Sequence, residues 1–223
     1  MQQYPDCAPN AVAGRNVTVV AGVSGTGKST FALRYLANAD LAVRFVFDPD
    51  PGEFNPRVGE FSDRLQLPAA TDGYSLSLSL CQGWTIFDPH TLFPGRIETA
   101  FQFFCEWAWE MSLNIPGEKV IVVDEVWKHC SPHHIPPELA MITQSGRKRG
   151  VRLMVTTQEP NRLNSSLLNG VSEFVCFKLQ GERALAIAES NGFNRAEVEN
   201  LPALQFIARN CDSGGELRGA IKV

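Results

Sequence analysis

A short β-branched run, a glycine-rich loop and an apolar helical pattern follow one another near the start of the chain. Residues 17–20 are typical of a buried strand, and residues 22–29 have the spacing G-x-x-x-x-G-K-S. Strand, loop and helix stand in the order that a P-loop requires. Glycines let successive backbone N–H groups turn inward around an anion, and the helix adds the positive end of its dipole. The stretch therefore predicts a nucleoside triphosphate site.

Two side chains of this loop have specific expected tasks. Lys28 can reach the β- and γ-phosphates, and the Ser29 hydroxyl can ligate Mg²⁺. The alternative is a glycine-rich turn between a strand and a helix that binds nothing. We expect ATP as the nucleotide, with contacts from Gly22, Ser24, Gly25, Thr26, Gly27, Lys28, Ser29 and Thr30.

Length and composition restrict the class of protein. A chain of 223 residues fits one α/β domain, so we expect a single P-loop ATPase domain over residues 1–223. The net charge of −4 excludes a lysine-coated polyanion binder, and a nucleic-acid partner would need a local basic patch. The six cysteines include no C-x-x-C pair, which is typical of reduced intracellular thiols. Without a signal-peptide pattern at the start or about 20 consecutive apolar residues, we expect a soluble, cytoplasmic chain.

Strand and helix patterns alternate along the chain. This alternation predicts an α/β fold with a central, mostly parallel sheet flanked by helices. On the helix expected over residues 96–113, an aromatic and apolar stripe favours core packing or a subunit contact over a base-stacking platform. We expect strands over residues 41–47, 84–87, 120–123, 151–157 and 174–179, further helices over 60–65, 137–149 and 184–191, and a C-terminal β-hairpin over 205–210 and 217–223.

Two acidic residues end the apolar strand at residues 120–123. The carboxyl ends of parallel strands meet at one edge of a sheet, so Asp124 is expected near the P-loop, holding Mg²⁺ opposite Ser29. Glu125 is a candidate base that orients an attacking water. The alternative is a strand capped by two acids with no catalytic role. A glutamate placed for water favours NTP hydrolysis that drives motion over transfer of phosphate to a bound acceptor.

A polar residue also ends the strand at residues 151–157. In P-loop ATPases that use a catalytic glutamate, an additional strand lies between the P-loop strand and the Asp-Glu strand. A side chain at its tip then points between Glu125 and the γ-phosphate. Gln158 suits this position, because its amide both donates and accepts hydrogen bonds. The alternative is an ordinary polar residue at a strand end.

Two segments resemble the HerA/FtsK superfamily of ring-forming, DNA-pumping ATPases. Residues 144–160 contain a G-R-K turn, a hydrophobic strand and a T-Q-x-P ending, and residues 46–54 resemble the second strand and D-P-x-G-E-[YF] turn of that family. Together with the P-loop and the Asp-Glu pair, the resemblance spans about residues 16–180. It implies a RecA-like fold of the additional-strand, catalytic-glutamate type.

Within that superfamily, the length of the chain is most similar to the genome-packaging ATPases of tailless, membrane-containing icosahedral viruses, the group that includes the poxviral enzyme. The resemblance implies an ATP- and Mg²⁺-dependent motor that translocates double-stranded DNA into a preformed capsid. It further implies a homo-oligomeric ring, expected as a hexamer, and a capsid vertex or viral membrane protein as partner. The expected location is the host cytoplasm or the virion vertex. Two other functions stay open: a nucleotide-gated structural protein at a vertex, and a small-molecule kinase.

Two further clusters leave alternatives open. Four residues in one loop could ligate zinc or belong to a solvated loop: His129, Cys130, His133 and His134. The basic cluster of Arg147, Lys148, Arg149 and Arg152 has three interpretations, as helix-end charges, as a DNA-facing patch, or as the source of an arginine finger. For the finger, which would act on the nucleotide of a neighbouring subunit, Arg147 is the first choice and Arg149 the second.

Overall fold

The central element of the protein is a twisted β-sheet. The computed structural model describes residues 15–49 and 60–222. Within them an eight-stranded sheet has the order β3-β2-β4-β5-β1-β6-β7-β8. Its strands are β1 (Val17–Ala21), β2 (Val43–Phe47), β3 (Trp84–Phe87), β4 (Lys119–Val123), β5 (Val151–Thr157), β6 (Val171–Cys176), β7 (Gln205–Asn210) and β8 (Glu216–Ala220).

Strand β5 lies between β1 and β4, and all three run parallel. Val155 of β5 is opposite Val19 on one side and Val123 on the other. Every residue of β1 and β4 is buried, as expected for apolar strands covered on both faces. The predicted additional strand is therefore confirmed. The carboxyl ends of β1, β4 and β5 lie side by side at one edge of the sheet.

Helices cover both faces of the sheet, and an apolar core lies on each. The helices are α1 (Lys28–Asn38), α2 (Glu60–Leu65), α3 (Gly73–Cys81), α4 (Pro89–Leu92), α5 (Ile97–Asn114), α6 (Pro137–Ser145), α7 (Ser165–Asn169), α8 (Glu182–Ser190) and α9 (Arg195–Glu199). One core contains residues of α5 to α9, and the other contains α1 and the antiparallel β7–β8 pair, which confirms the predicted C-terminal hairpin. Within the described ranges, no helix combines the length and apolarity needed to cross a membrane.

The aromatic stripe of α5 packs into the core. The ring of Phe101 lies 5.1 Å from that of Phe47, and Trp107 lies 5.5 Å from Phe45 of the same strand, β2. Burying an aromatic side chain of this kind contributes roughly 1.5–3 kcal/mol. The core interpretation of the stripe is confirmed, and these rings are not available as a base-stacking platform.

The helix expected over residues 137–149 is shorter than predicted. Its α-helical part ends at Ser145, and Gly146–Arg149 forms a 3₁₀ turn. A Cβ on Gly146 would lie 2.7 Å from Nδ2 of Asn16, so the glycine permits a close approach to the neighbouring segment. Gly150 then takes the left-handed φ of 65° that ends the turn.

Other element boundaries also differ from the prediction. The second strand begins at Val43 rather than residue 41, and β6 spans Val171–Cys176 instead of residues 174–179. Helix α3 occupies a serine- and leucine-rich segment in which the sequence analysis predicts no helix. Residues 50–54, which belong to the segment 46–54 of the family resemblance, and the N-terminal residues 1–14 lie outside the described residues.

Candidate functional site

The loop between β1 and α1 has the backbone of a phosphate-binding loop. Gly25 and Gly27 have left-handed φ angles of 75° and 106°, which glycine adopts at little cost. A Cβ on Gly22 would lie 2.6 Å from Cβ of Phe177, so the loop leaves β1 in close contact with the chain after β6. Helix α1 begins at Lys28, directly after the loop, so the positive end of its dipole lies at the loop.

Two side chains of the P-loop segment form hydrogen bonds to the backbone of the loop. The hydroxyl of Thr26 donates to the carbonyl oxygen of Val23 at 2.8 Å, and Lys28 Nζ donates to the same oxygen at 3.3 Å. Ser24 and Gly25 are exposed at the tip. Thr30, predicted to contact the nucleotide, accepts a hydrogen bond from Arg64 of α2. Thr26 therefore shapes the loop, and Thr30 connects α1 to α2.

Asp124 and Glu125 follow β4 as predicted, beside the P-loop. The hydroxyl of Thr156 on β5 donates to a carboxylate oxygen of Asp124 and accepts from the Glu125 backbone N–H at 2.9 Å. Glu125 has a left-handed backbone, with φ at 46°. This conformation is uncommon for a residue with a side chain and is concentrated at functional sites. The sharp turn directs the Glu125 carboxylate toward the P-loop lysine.

Four groups surround the Glu125 carboxylate. Gln158 Nε2 donates to Oε1 at 2.8 Å, and the Gln158 backbone N–H donates to Oε2 at 3.2 Å. Lys28 Nζ lies 3.6 Å from Oε1. The Trp127 indole N–H donates to Oε2 at 2.6 Å. The structure thus brings together the predicted Lys28, Glu125 and Gln158, and adds Trp127, which the sequence analysis missed.

Oxygen ligands suited to Mg²⁺ are present at the same edge. Ser29 follows Lys28 in the first turn of α1, and Asp124 ends the strand two places away in the sheet. A hydroxyl and a carboxylate are the oxygen donors that Mg²⁺ prefers beside nucleotide phosphates. The residues fit this ion, which would neutralise phosphate charge when bound.

The histidine-containing loop after Glu125 divides into a buried and an exposed part. The His129 ring lies 5.0 Å from Phe47 and 5.1 Å from Phe101, and Cys130 is buried, whereas His133 and His134 are exposed. Burial, with a smaller contribution from Lys128, lowers the pKa of His129 to about 4, although Glu125 opposes the shift. Burial raises the pKa of the Cys130 thiol to about 12.

These four side chains do not converge on one point. Across the part of the chain that the structure describes, no three His, Cys, Asp or Glu side chains are grouped to hold a metal ion. The zinc interpretation has no support there. The alternative of a solvated loop holds for His133 and His134 but is wrong for His129 and Cys130.

Arg147 and Arg149 lie at the opposite edge of the sheet from the P-loop. They precede the first residue of β5, while Gln158 follows its last. The Arg149 guanidinium lies 5.7 Å from the centre of the Trp109 ring, and Arg152 pairs with Glu118 at 3.2 Å. Neither Arg147 nor Arg149 is thus placed to act on the nucleotide of its own chain, and a role toward a neighbouring subunit stays a prediction.

The fold and the site define a class of protein. A parallel sheet with a P-loop after β1, an Asp-Glu pair after β4 and a polar residue after the intervening β5 has the architecture of a P-loop NTPase with an additional strand. No protein-family model matches the sequence.

Known proteins with similar sequences or folds include viral ones. The chain is 24% identical over 191 residues to Protein P9 of Pseudoalteromonas phage PM2, covering 84% of this chain and 81% of that protein. The fold is similar to the genome packaging NTPase B204 of Sulfolobus turreted icosahedral virus 2 in complex with AMPPCP, with a TM-score of 0.71, 15% identity, and coverage of 94% of this chain and 98% of that chain. It is also similar to VirB4 of Thermoanaerobacter pseudethanolicus, with a TM-score of 0.59, 15% identity, and coverage of 93% and 89%. The predicted resemblance to viral packaging ATPases is confirmed at the level of the fold.

Proposed function

We propose that this chain is an ATP hydrolase that drives double-stranded DNA into a preformed viral capsid. The observation that carries the proposal is the Glu125 carboxylate, held by Gln158 at the edge of the sheet where the P-loop opens. The fold likeness to a genome packaging NTPase solved with an ATP analogue supports the choice of nucleotide and of process.

Hydrolysis requires a water molecule aligned with the γ-phosphate and charge to stabilise the transition state. The N–H groups of the loop and Lys28 bind the phosphates. Ser29 and Asp124 would hold Mg²⁺, which would supply further positive charge. Glu125 orients the water and accepts its proton. Gln158 connects the γ-phosphate side of the site to Glu125.

The contact between Lys28 and Glu125 couples nucleotide binding to catalysis. Both side chains are buried, so each charge requires a partner. Phosphate oxygens compete with Glu125 for Lys28, and a bound triphosphate releases the carboxylate to act on water. The Glu125 carboxylate thus pairs with Lys28 until the phosphates of the substrate replace it.

Contact with DNA is proposed through a ring of several copies. A chain with a net charge of −4 does not attract a polyanion over its whole surface. A closed ring, expected as a hexamer, brings one basic patch from each subunit to a shared channel. Such binding weakens steeply with salt. A capsid vertex or viral membrane protein would hold the ring at its site of action.

The proposal is tested by ATP turnover with Mg²⁺, with and without linear duplex DNA at low salt. We expect DNA to stimulate turnover of the wild type. Glu125→Gln should retain ATP binding while its turnover falls by about 100-fold or more, and Lys28→Ala should no longer bind ATP. Glu182→Gln, at an exposed position on α8, serves as a matched control and should behave as wild type.

Each alternative function gives a different result in this assay. Tight ATP binding without turnover would favour the nucleotide-gated structural protein. Transfer of the γ-phosphate to a nucleoside or metabolite would favour the kinase. If nucleotide-loaded protein had no affinity for duplex DNA at low salt, translocation of DNA would be contradicted.

A further inference from the structure

We infer that Trp127 is a positioning residue for the Glu125 carboxylate, an inference that rests on the proposed hydrolase function. Its indole N–H donates to Oε2 at 2.6 Å, the shortest of the four contacts to this carboxylate. Trp127 lies in the 3₁₀ turn that begins directly after Glu125. The left-handed backbone of Glu125 brings a side chain two residues further on back to its own carboxylate.

Each carboxylate oxygen of Glu125 contacts Gln158 and one further residue. Oε1 is shared between Gln158 Nε2 and Lys28, and Oε2 between Trp127 and the Gln158 backbone N–H. Without the indole donor, Oε2 would retain, among the residues that the structure describes, only the 3.2 Å bond from Gln158. The carboxylate could then rotate about its last torsion, away from the orientation in which Oε2 accepts from two donors. Trp127 therefore keeps the carboxylate in the orientation that can act on water.

The Trp127 ring is itself fixed by cations. The Arg162 guanidinium lies 4.8 Å from the ring centre, and Lys128 Nζ lies 6.0 Å from it. Both distances are within the range of cation–π attraction. Arg162 in turn pairs with Glu159 at 3.7 Å. Since Arg162 belongs to the loop that also carries Gln158, that loop holds Glu125 directly through Gln158 and indirectly through Trp127.

Trp127→Phe tests the inference because it removes the indole donor but keeps a ring for Arg162. We expect kcat for ATP hydrolysis to fall about 10-fold, while KM and the ATP dissociation constant stay within about twofold. The chain offers a matched control in Trp84, whose ring lies 5.0 Å from the Arg44 guanidinium on the edge strand β3. Trp84→Phe should leave kcat unchanged.

A second measurement separates positioning from a general structural effect. If Trp127 acts through Glu125, adding Trp127→Phe to Glu125→Gln should leave the residual turnover unchanged within about twofold. Arg162→Gln, at an exposed position, should lower kcat about threefold with unchanged ATP affinity, because the ring loses one of its two cations.

Different outcomes identify which conclusion fails. Wild-type kcat in Trp127→Phe, or equal losses of kcat and ATP affinity, would overturn the positioning role while leaving the proposed function intact. A further loss of turnover in the Glu125→Gln background would also overturn it. Failure of the proposed function itself would be seen separately, as wild-type protein that does not hydrolyse ATP.

Discussion

His129 is a partly buried histidine close to the candidate base but outside the catalytic contacts. Its ring packs against Phe47 and Phe101, and its pKa is lowered to about 4. In the unfolded chain an imidazole titrates near pH 6.5. Between about pH 6.5 and 4, the unfolded chain therefore binds a proton that the folded chain does not. The contribution of His129 to stability is complete above pH 6.5 and decreases as the pH falls through this window.

His129→Phe should remove this pH dependence, since phenylalanine fills the space between the two rings without titrating. For the wild type, we expect His129 to lower the free energy of unfolding by on the order of 2–3 kcal/mol between pH 7 and pH 4. Urea unfolding at several pH values measures the difference between the variant and wild type. His133→Phe is the matched control at an exposed position and should retain the wild-type slope. Parallel slopes for His129→Phe and wild type would contradict the assignment.

Helix α1 is held to the sheet by a cluster of three aromatic rings. Phe31 of α1 lies 4.9 Å from Phe206 of β7 and 6.1 Å from Phe177, which follows β6. A Cβ on Gly27 would lie 2.8 Å from Cδ1 of Ile221, and the Leu204 N–H donates to the Thr26 carbonyl at 3.2 Å. Strand β7 and the residues that flank the β7–β8 hairpin thus pack against the P-loop and helix α1.

Phe206→Ala should reduce both stability and nucleotide binding. Phe206 is buried, so we expect its truncation to cost about 3–5 kcal/mol of unfolding free energy. ATP affinity should fall at the same time, because α1 loses the ring that fixes its first turns. Phe103→Ala on α5 removes a ring that is 37% exposed, and it should cost far less and leave ATP affinity unchanged. Chemical denaturation measures the change in stability, and ATP titration measures the change in affinity. Unchanged ATP affinity in folded Phe206→Ala would contradict a contribution of the C-terminal hairpin to the nucleotide site.

The elements that the sequence predicted are those specified by local patterns. The P-loop requires glycines at fixed positions between an apolar strand and a helix, and the run before Asp124 is apolar throughout, so both could be placed from the residues alone. Helix α3 could not. Its alternating serines and leucines do not have helical periodicity. The helix instead begins with a capping box, in which the Asp72 carboxylate accepts from the Ser75 N–H and the Ser75 hydroxyl accepts from the Asp72 N–H.

Trp127 was missed for a different reason. Its bond to Glu125 depends on a left-handed backbone at Glu125, which no residue pattern nearby indicates. The same carboxylate is fixed by Gln158, which is distant in sequence and adjacent only because β5 lies beside β4. Local patterns predicted which residues are candidates for catalysis. Long-range strand pairing determines which of these side chains contact one another.

On the proposed function, we expect the γ-phosphate side of the nucleotide site to be completed by a neighbouring subunit. Lys28 and Glu125 lie at the carboxyl edge of the sheet, while Arg147 lies at the amino edge. In a closed head-to-tail ring, an edge of one subunit faces the site of the next. An arginine supplied in this way contributes about 10³–10⁵ in turnover where it has been measured.

Arg147→Ala should therefore bind ATP normally and hydrolyse it poorly, and Arg149→Ala tests the second choice. Adding Lys28→Ala subunits, whose own sites are inactive but whose Arg147 is intact, should restore some activity in mixed rings. Turnover as a function of mixing ratio and protein concentration measures this effect. Arg195→Ala, an exposed arginine paired with Glu182, is the control. Activity independent of concentration and not restored by mixing would contradict a contribution from a neighbour.

The position of β5 between β1 and β4 has a consequence during synthesis on the ribosome. The P-loop strand Val17–Ala21 acquires its first partner only when Val151–Thr157 has emerged, whereas the Asp-Glu strand already pairs with β2 and gains its second partner from the same segment. Contacts between segments so far apart in sequence form slowly, because a long loop must close before they are made. Glu125 and Gln158 therefore meet Lys28 only after most of the chain has been translated. If the chain is the proposed hydrolase, we expect no ATP turnover from the nascent polypeptide before its sheet is assembled.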